Sequence, residues 1–283
     1  MSNGKKSEYR HFNGNVNIPL YKYYGNYDYA KDAIQNKRVH LESPCEYNDI
    51  YDSTFYLTEY GLKRACNTSY NICNIMKGFL APKYHNALND CQAKISLEQF
   101  SVYDAIAYIC AYDSTFSKEN LVDECIVGIT HGFPIQASNN KISCFSERYD
   151  SLLMWAYYAN NARGICLEFN APLDNILKIH CHKVQYTHNF QPDPSGFDYY
   201  FYKSEQWAHE QEWRIVCDTN EEYISITSLS KIILGCKTPI QEQIEFIELG
   251  RKYHIDVYEI RPSNKKFELL LYPIHQVPSG ELT

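Results

Sequence analysis

Two carboxylates and a guanidinium recur at every second position of Glu210-Gln211-Glu212-Trp213-Arg214, within the longer run Trp207-Ala208-His209-Glu210 onward. On a β-strand alternate side chains share a face, so Glu210, Glu212 and Arg214 fall on one side and Gln211 and Trp213 on the other. The carboxylates then stand roughly 6.6–7 Å apart along the strand. One can face a reacting carbon while the other addresses an incoming group. Like charges this close raise the proton affinity of one member, the property general acid–base work needs. The same spacing fits an exposed edge face on which Arg214 merely balances the glutamates, and spacing does not choose between the two.

A second constellation is Ser143-Cys144-Phe145-Ser146-Glu147, followed by Asp150. A strand ending in hydroxyls offers Ser143 and Ser146 to a ribose or a carboxamide, with Phe145 as a stacking surface; Ser146 serves equally well as the cap of the next turn. Arg163 precedes another apolar run, where a guanidinium meets a phosphate or decorates a turn. Lys22 is a cation among Tyr21, Tyr23 and Tyr24, awkward for a purely structural lysine unless it snorkels to the surface. Cys144 has no helix N-terminus or adjacent base to lower its pKa, and pairing it with His131 or His209 is the weaker reading. His180-Cys181-His182, and Cys66 with Cys73, do not match zinc spacing, so no metal is expected. No Gly-x-Gly-x-x-Gly loop occurs, so a Rossmann dinucleotide site is not indicated.

These residues need elements to hold them. Strands are expected at 20–24, 39–41, 141–145, 164–169, 209–217 and 230–234, with a final pair at 255–260 and 267–271. Ile165, Leu167 and Phe169 should share a face. Helices are expected at 29–36 and 151–160. Another should start at Thr238 and Pro239, with Gln241 closing a capping box and Ile240, Ile244 and Ile247 as its buried stripe. Between 57 and 130 the spacing turns helical: Tyr103, Ile106, Ala107 and Cys110 recur at one period, as do Leu121, Cys125 and Ile129. Ser43, Pro44 and Asn48-Asp49 mark a turn-rich loop.

Hydrophobic residues make up 45% of the 283, enough for a substantial core. A net charge of −7 supplies no global field to attract nucleic acid, which argues against a simple duplex-binding module but not against an enzyme acting on single strands. The 26 tyrosines suit half-buried strand faces first and base stacking second. The apolar runs at 231–235 and 267–273 are far shorter than the roughly 20 residues of a membrane span. A polar, lysine-containing start and an odd, irregularly spaced set of 11 cysteines lead us to expect no signal peptide, reduced thiols and a cytoplasmic location.

As an ordered set these segments resemble an uncharacterised bacterial domain family. Its pattern runs Leu-Tyr-Lys-Tyr, Phe-Asn-Asp-Pro-x-x-Asp, Cys-Phe-Ser, Met-Trp-x-x-Tyr, Gly-x-x-x-x-Phe and Glu-x-Glu-(Tyr/Trp)-Arg. The counterparts are Leu20 to Tyr23, Tyr47-Asn48-Asp49 with Asp52, Cys144 to Ser146, Met154-Trp155 with Tyr158, Gly164 to Phe169, and Glu210 to Arg214. The sequence departs from that pattern at Tyr47, and at Ile50 where the family has proline. The order of parts is similar to that of the ADP-ribosyltransferase superfamily. The resemblance implies an α+β fold, a split β-sheet core carrying a helical insertion. It makes NAD the substrate, with Lys22, Tyr23, Phe145, Arg148 and Arg163 binding it. Ser143 or Ser146 would orient the nicotinamide ribose, Glu212 stabilise the cationic sugar and Glu210 address the acceptor. Lysine replaces the usual arginine or histidine at position 22.

The expectation is therefore a loose arm at 1–17 and a single catalytic domain at 18–283, with 57–130 as the insertion. Its activity would be that of an NAD-dependent ADP-ribosyltransferase, a bacterial toxin or anti-phage effector. The acceptor would be nucleic acid (RNA or single-stranded DNA) or protein, with an antitoxin partner and no membrane or metal. The rival is a non-catalytic sensor or adaptor of such a system. A nuclease or other hydrolase is disfavoured for want of a metal constellation.

Overall fold

Short apolar runs rich in β-branched and aromatic residues form the strands of a nine-stranded sheet in the computed structural model. It describes residues 8–9, 15–53, 58, 60–61, 72–96, 102–132, 140–190, 192 and 198–276. The chain begins with β1 (Glu8–Tyr9), β2 (Leu20–Tyr24), α1 (Tyr27–Asn36) and β3 (Arg38–His40). Among the described residues the helices α2 (Ile72–Phe79), α3 (His85–Ser96), α4 (Val102–Tyr112) and α5 (Lys118–Gly132) follow. Then come β4 (Asn140–Ser146), α6 (Leu152–Tyr157), β5 (Ile165–Phe169), α7 (Asn175–His180), β6 (His182–Lys183), β7 (Gln185–Thr187) and β8 (Tyr202–Ser204). The last part holds β9 (Glu212–Asp218), β10 (Tyr223–Ser225), β11 (Leu229–Leu234), α8 (Ile240–Tyr253), β12 (Asp256–Pro262) and β13 (Leu269–His275).

The chain divides into two units. The first, Met1–Asn48, Asn139–Tyr186 and Lys203–Thr283, holds the sheet in the order β1-β9-β4-β2-β5-β11-β12-β13, with β6 also on β9. All pairs are antiparallel except β11 with β12. One face packs Leu20, Tyr24, Phe145, Ile165, Leu167, Phe169, Ile215 and Ile232 into the main core with α1 and α8. The other buries Tyr21, Trp155, Cys166, Ile233 and Ile260. Both faces of β5 are covered, so it is buried along its whole length. Ile165, Leu167 and Phe169 do share a face, but the strand alternates core with core, not core with water.

The second unit, Asp49–Ser138 and Thr187–Tyr202, is helical. It buries Cys73, Met76, Leu88, Cys91, Ala105, Ile106, Ile109, Leu121, Val122 and Cys125. It begins earlier than the insertion expected at 57–130 and takes a second stretch further on. On α4 the buried face runs through Ala105, Ile106 and Ile109, whereas Ala107 is exposed.

Three expectations need correcting. Of the arm expected to be loose at 1–17, the described residues 8–9 and 15–17 include three that are held: Glu8 and Tyr9 pair with Asp218 and Cys217, and Val16 is buried with its N–H donating to the Lys178 carbonyl. On α8 the buried residues are Phe246 and Gly250, while Ile240 and Ile244 are exposed. A Cβ on Gly250 would sit 2.3 Å from Val257 Cγ2, so the close approach allowed by glycine, rather than the isoleucine stripe, sets the rotation of the helix. Pro239 is its N-cap and no capping box forms. Third, the strand expected at 209–217 starts only at Glu212. No helix among the described residues is long and apolar enough to cross a membrane.

Candidate functional site

Ser204 opens a 3₁₀ turn over Glu205–Glu210, its hydroxyl accepting from the Gln206 N–H, and Gln211 closes it in the left-handed region at φ 45°. That kink takes Glu210 off the strand. Glu212 and Arg214 still share a strand face, but Glu210 reaches the same place from a turn. Ser146 pins the turn to the end of β4: its hydroxyl donates to the Glu210 carbonyl (2.6 Å), and the Glu147 N–H donates to the Gln211 carbonyl (3.1 Å).

Four charged side chains meet there. Lys203 Nζ donates to Glu210 Oε2 (2.6 Å) and to Glu212 Oε2 (3.2 Å). Arg214 is bidentate on Glu212, with Nε to Oε1 at 2.8 Å and Nη2 to Oε2 at 3.0 Å. Relative exposure is 0% for Arg214, 2% for Glu210, 5% for Glu212 and 8% for Lys203, so the whole tetrad is desolvated. Two carboxylates and two cations leave it neutral, the condition under which such burial is tolerated. A ring of tyrosines completes the site. The Tyr158 hydroxyl donates to Glu210 Oε1 (2.5 Å), the Tyr186 hydroxyl accepts from the Glu212 N–H (2.8 Å), and the Tyr47 ring lies 5.7 Å from the Arg214 guanidinium.

The two carboxyls are tuned apart. Burial pushes Glu212 up, but the Arg214 and Lys203 charges and the Arg214 hydrogen bonds outweigh it and hold the group down at about 2. Glu210 is displaced upward, first by burial and then by the charge of Glu212, with Lys203 and Tyr158 opposing only in part. Cys144, whose Sγ stands 3.3 Å from the Tyr47 hydroxyl, is pushed up to about 12, chiefly by burial. That thiol is inert as a nucleophile at neutral pH.

The remaining expected residues separate from this cluster. In the β4–β9 ladder Ser146 is opposite Glu212 and Cys144 opposite Arg214, whereas Ser143 is opposite Ile215. Pleating therefore puts Ser143 and Phe145 on the face away from Glu212. Phe145 is buried against Phe169, edge to face at 5.9 Å, and offers no stacking platform. Lys22 occupies a seam. β2 and β4 are joined by one pair, Tyr21 with Ser146, while Ile142 of β4 bridges instead to Glu42. Into that opening Lys22 sends Nζ to the Cys144 carbonyl (3.0 Å) and Ser143 Oγ (3.1 Å), and desolvation lowers its pKa. Tyr23 donates to the Arg148 carbonyl (2.7 Å) and packs edge-on against Trp155. Arg148 is exposed and paired with Asp150 (2.8 Å). Arg163 is exposed on the turn entering β5, its carbonyl held by the Tyr27 hydroxyl (2.6 Å).

The residue missed in the sequence is Lys203. Its signal was the one noticed at Lys22, a lysine set in an aromatic run, here Tyr199-Tyr200-Phe201-Tyr202. No cluster of metal-binding side chains occurs among the described residues. Compared with protein-family models, curated proteins and solved structures, the chain matches none.

Proposed function

We propose that the chain is an NAD-dependent ADP-ribosyltransferase built on a split-sheet core, as its resemblance to that superfamily implies. The observation that carries this reading is the opposite tuning of Glu210 and Glu212 around one shared ammonium. Carboxyls driven apart in this way divide into an electrostatic partner and a proton acceptor. Glu212, ionised at any physiological pH, faces the ribose as the C1′–N bond to nicotinamide breaks. The bonding pair leaves with the nicotinamide nitrogen, and the carboxylate stabilises the oxocarbenium-like sugar. The acceptor nucleophile then bonds to C1′ and gives its proton to Glu210.

Lys22 acts in this scheme by tying β2 to β4 across their seam rather than by gripping pyrophosphate. The exposed cations Arg148 and Arg163 are left for the phosphates. Free thiols at the described cysteines suit a reducing, cytoplasmic setting. The acceptor is nucleic acid or protein, and a toxin or anti-phage role with an antitoxin follows from the same resemblance. A second reading is favoured by the neutrality of the tetrad: a sensor or adaptor in which the glutamates only balance Lys203 and Arg214.

Incubation with NAD labelled in the adenylate moiety, with cell lysate as acceptor, tests both. The transferase reading expects nicotinamide release, with label on acid-precipitable nucleic acid or protein. Glu212→Gln should lower release by roughly 100- to 1000-fold. Glu210→Gln should impair labelling while sparing slow hydrolysis of NAD. Absence of both NAD binding and nicotinamide release overturns the transferase reading in favour of the adaptor.

A further inference from the structure

Lys203 stands between the two carboxylates and touches both, 2.6 Å from Glu210 and 3.2 Å from Glu212. Its side chain is 5% exposed, and its ammonium lies 5.0 Å from the centre of the Trp207 ring. Glu212 has a second cationic partner besides Lys203, because Arg214 binds both of its oxygens. Glu210 has no such guanidinium; its oxygens meet the Tyr158 hydroxyl and Lys203.

We infer that Lys203 is the positioning residue that keeps Glu210 ionised beside an ionised Glu212, so that Glu210 remains a proton acceptor. The inference rests on the role given to Glu210 above. The groups that face Glu210 divide cleanly by sign. From β9, Glu212 opposes its ionisation directly, and Arg214 is engaged with Glu212. From the end of α6, Tyr158 donates a hydrogen bond that favours the charged form. From β4, Ser146 touches the main chain of Glu210. Tyr186 binds the Glu212 main chain, and His209, in the same turn, has its Nδ1 3.2 Å from the Gln206 carbonyl. Lys203, on β8, supplies the cation in direct contact with Glu210. A cation beside a carboxylate lowers its proton affinity and a second carboxylate raises it, so removing Lys203 leaves the unfavourable neighbour in place.

The test is a titration followed by NMR on the whole chain with carboxyl-13C glutamate and side-chain-15N lysine. In Lys203→Met the Glu210 midpoint is expected to rise by at least about one pH unit, with Glu212 still ionised throughout the neutral range. Lys203→Arg, which retains the charge, should restore it. The acid limb of the pH profile for acceptor labelling should move to higher pH by the same amount, a change that mere loss of stability would not produce. A Glu210 midpoint unaltered in Lys203→Met overturns the inference. In the wild-type chain the Lys203 15Nζ resonance should inflect at the Glu210 midpoint. Absence of that inflection overturns the inference even if Lys203→Met fails to fold. The resonances are read without NAD, so a chain that releases no nicotinamide overturns the transferase reading and leaves Lys203 to be decided by titration.

Discussion

Arg214 holds both carboxylate oxygens of Glu212, its neighbour two positions back on the same strand, and does so with no exposure to solvent. The pair is thus a structural strut as well as a candidate catalytic device.

Glu212→Gln therefore acts on folding as well as on chemistry. It leaves a buried guanidinium without its counter-charge, and breaking a buried pair from one side costs about 3–5 kcal/mol. Replacing both partners, as in Glu212→Gln with Arg214→Met, should recover a large part of that loss. Denaturant unfolding of the two single variants and the double measures the coupling; additive losses would show that the pair does not act as a unit.

Acid stability carries the same signature. Folded Glu212 takes up its proton only near pH 2, whereas an unfolded glutamate does so near about 4.3. The stabilisation this group gives is complete above the unfolded value and is lost as pH falls through the folded one. Glu210, displaced upward, works in reverse: its contribution is complete below the ordinary value and is lost as pH rises through the folded one. As Glu212 is protonated, the stability gap between wild type and Glu212→Gln should narrow by up to about 1.4 kcal/mol per pH unit below about pH 4. A gap that stays level down to pH 2 would contradict the tuning described for Glu212.

Trp155, 1% exposed, donates its indole N–H to the Tyr149 carbonyl at 2.5 Å and meets the Tyr23 ring at 5.2 Å. Trp155→Ala should cost about 3–5 kcal/mol. Because Tyr158, three residues on, holds Glu210, the variant should also disturb the carboxylate it does not touch. Thermal melts and the Glu210 resonance report these effects separately; unchanged stability would remove Trp155 from the core.

Gly164 sits where a Cβ would lie 2.1 Å from the Tyr24 carbonyl oxygen and 3.0 Å from the Ala159 backbone. Both neighbours are main chain and cannot swing aside. Gly164→Ala should cost about 3 kcal/mol or more. A melting temperature within error of wild type would show that this turn yields.

The framework was readable where a strand is buried on a continuous run. β2 was expected with the bounds it has, and β4, β5, β11 and the closing pair lie within a few residues of where periodicity put them. The site was readable as a set of residues but not as a shape. Alternation alone cannot foresee that Gln211 turns left-handed, so Glu210 was set on a strand it does not enter. Nor can it say which face of β4 the glutamates join, and Ser143 and Phe145 lie on the face away from Glu212. Lys203 lies seven residues before Glu210, and only the fold of the intervening turn brings them together.

The seam between β2 and β4 has a mechanical consequence. β4 is stitched to β9 by seven successive residue pairs, and β2 to β5 by five, but β2 meets β4 through one pair and the ammonium of Lys22. Twist and breathing of the sheet should concentrate at this weakest junction, because fewer rungs must part there. Deuterium would then enter the backbone along the seam well before it enters the β4–β9 ladder, and Lys22→Met would widen that interval. The sheet is in effect two stiff leaves joined at a narrow binding, with one lysine as the thread.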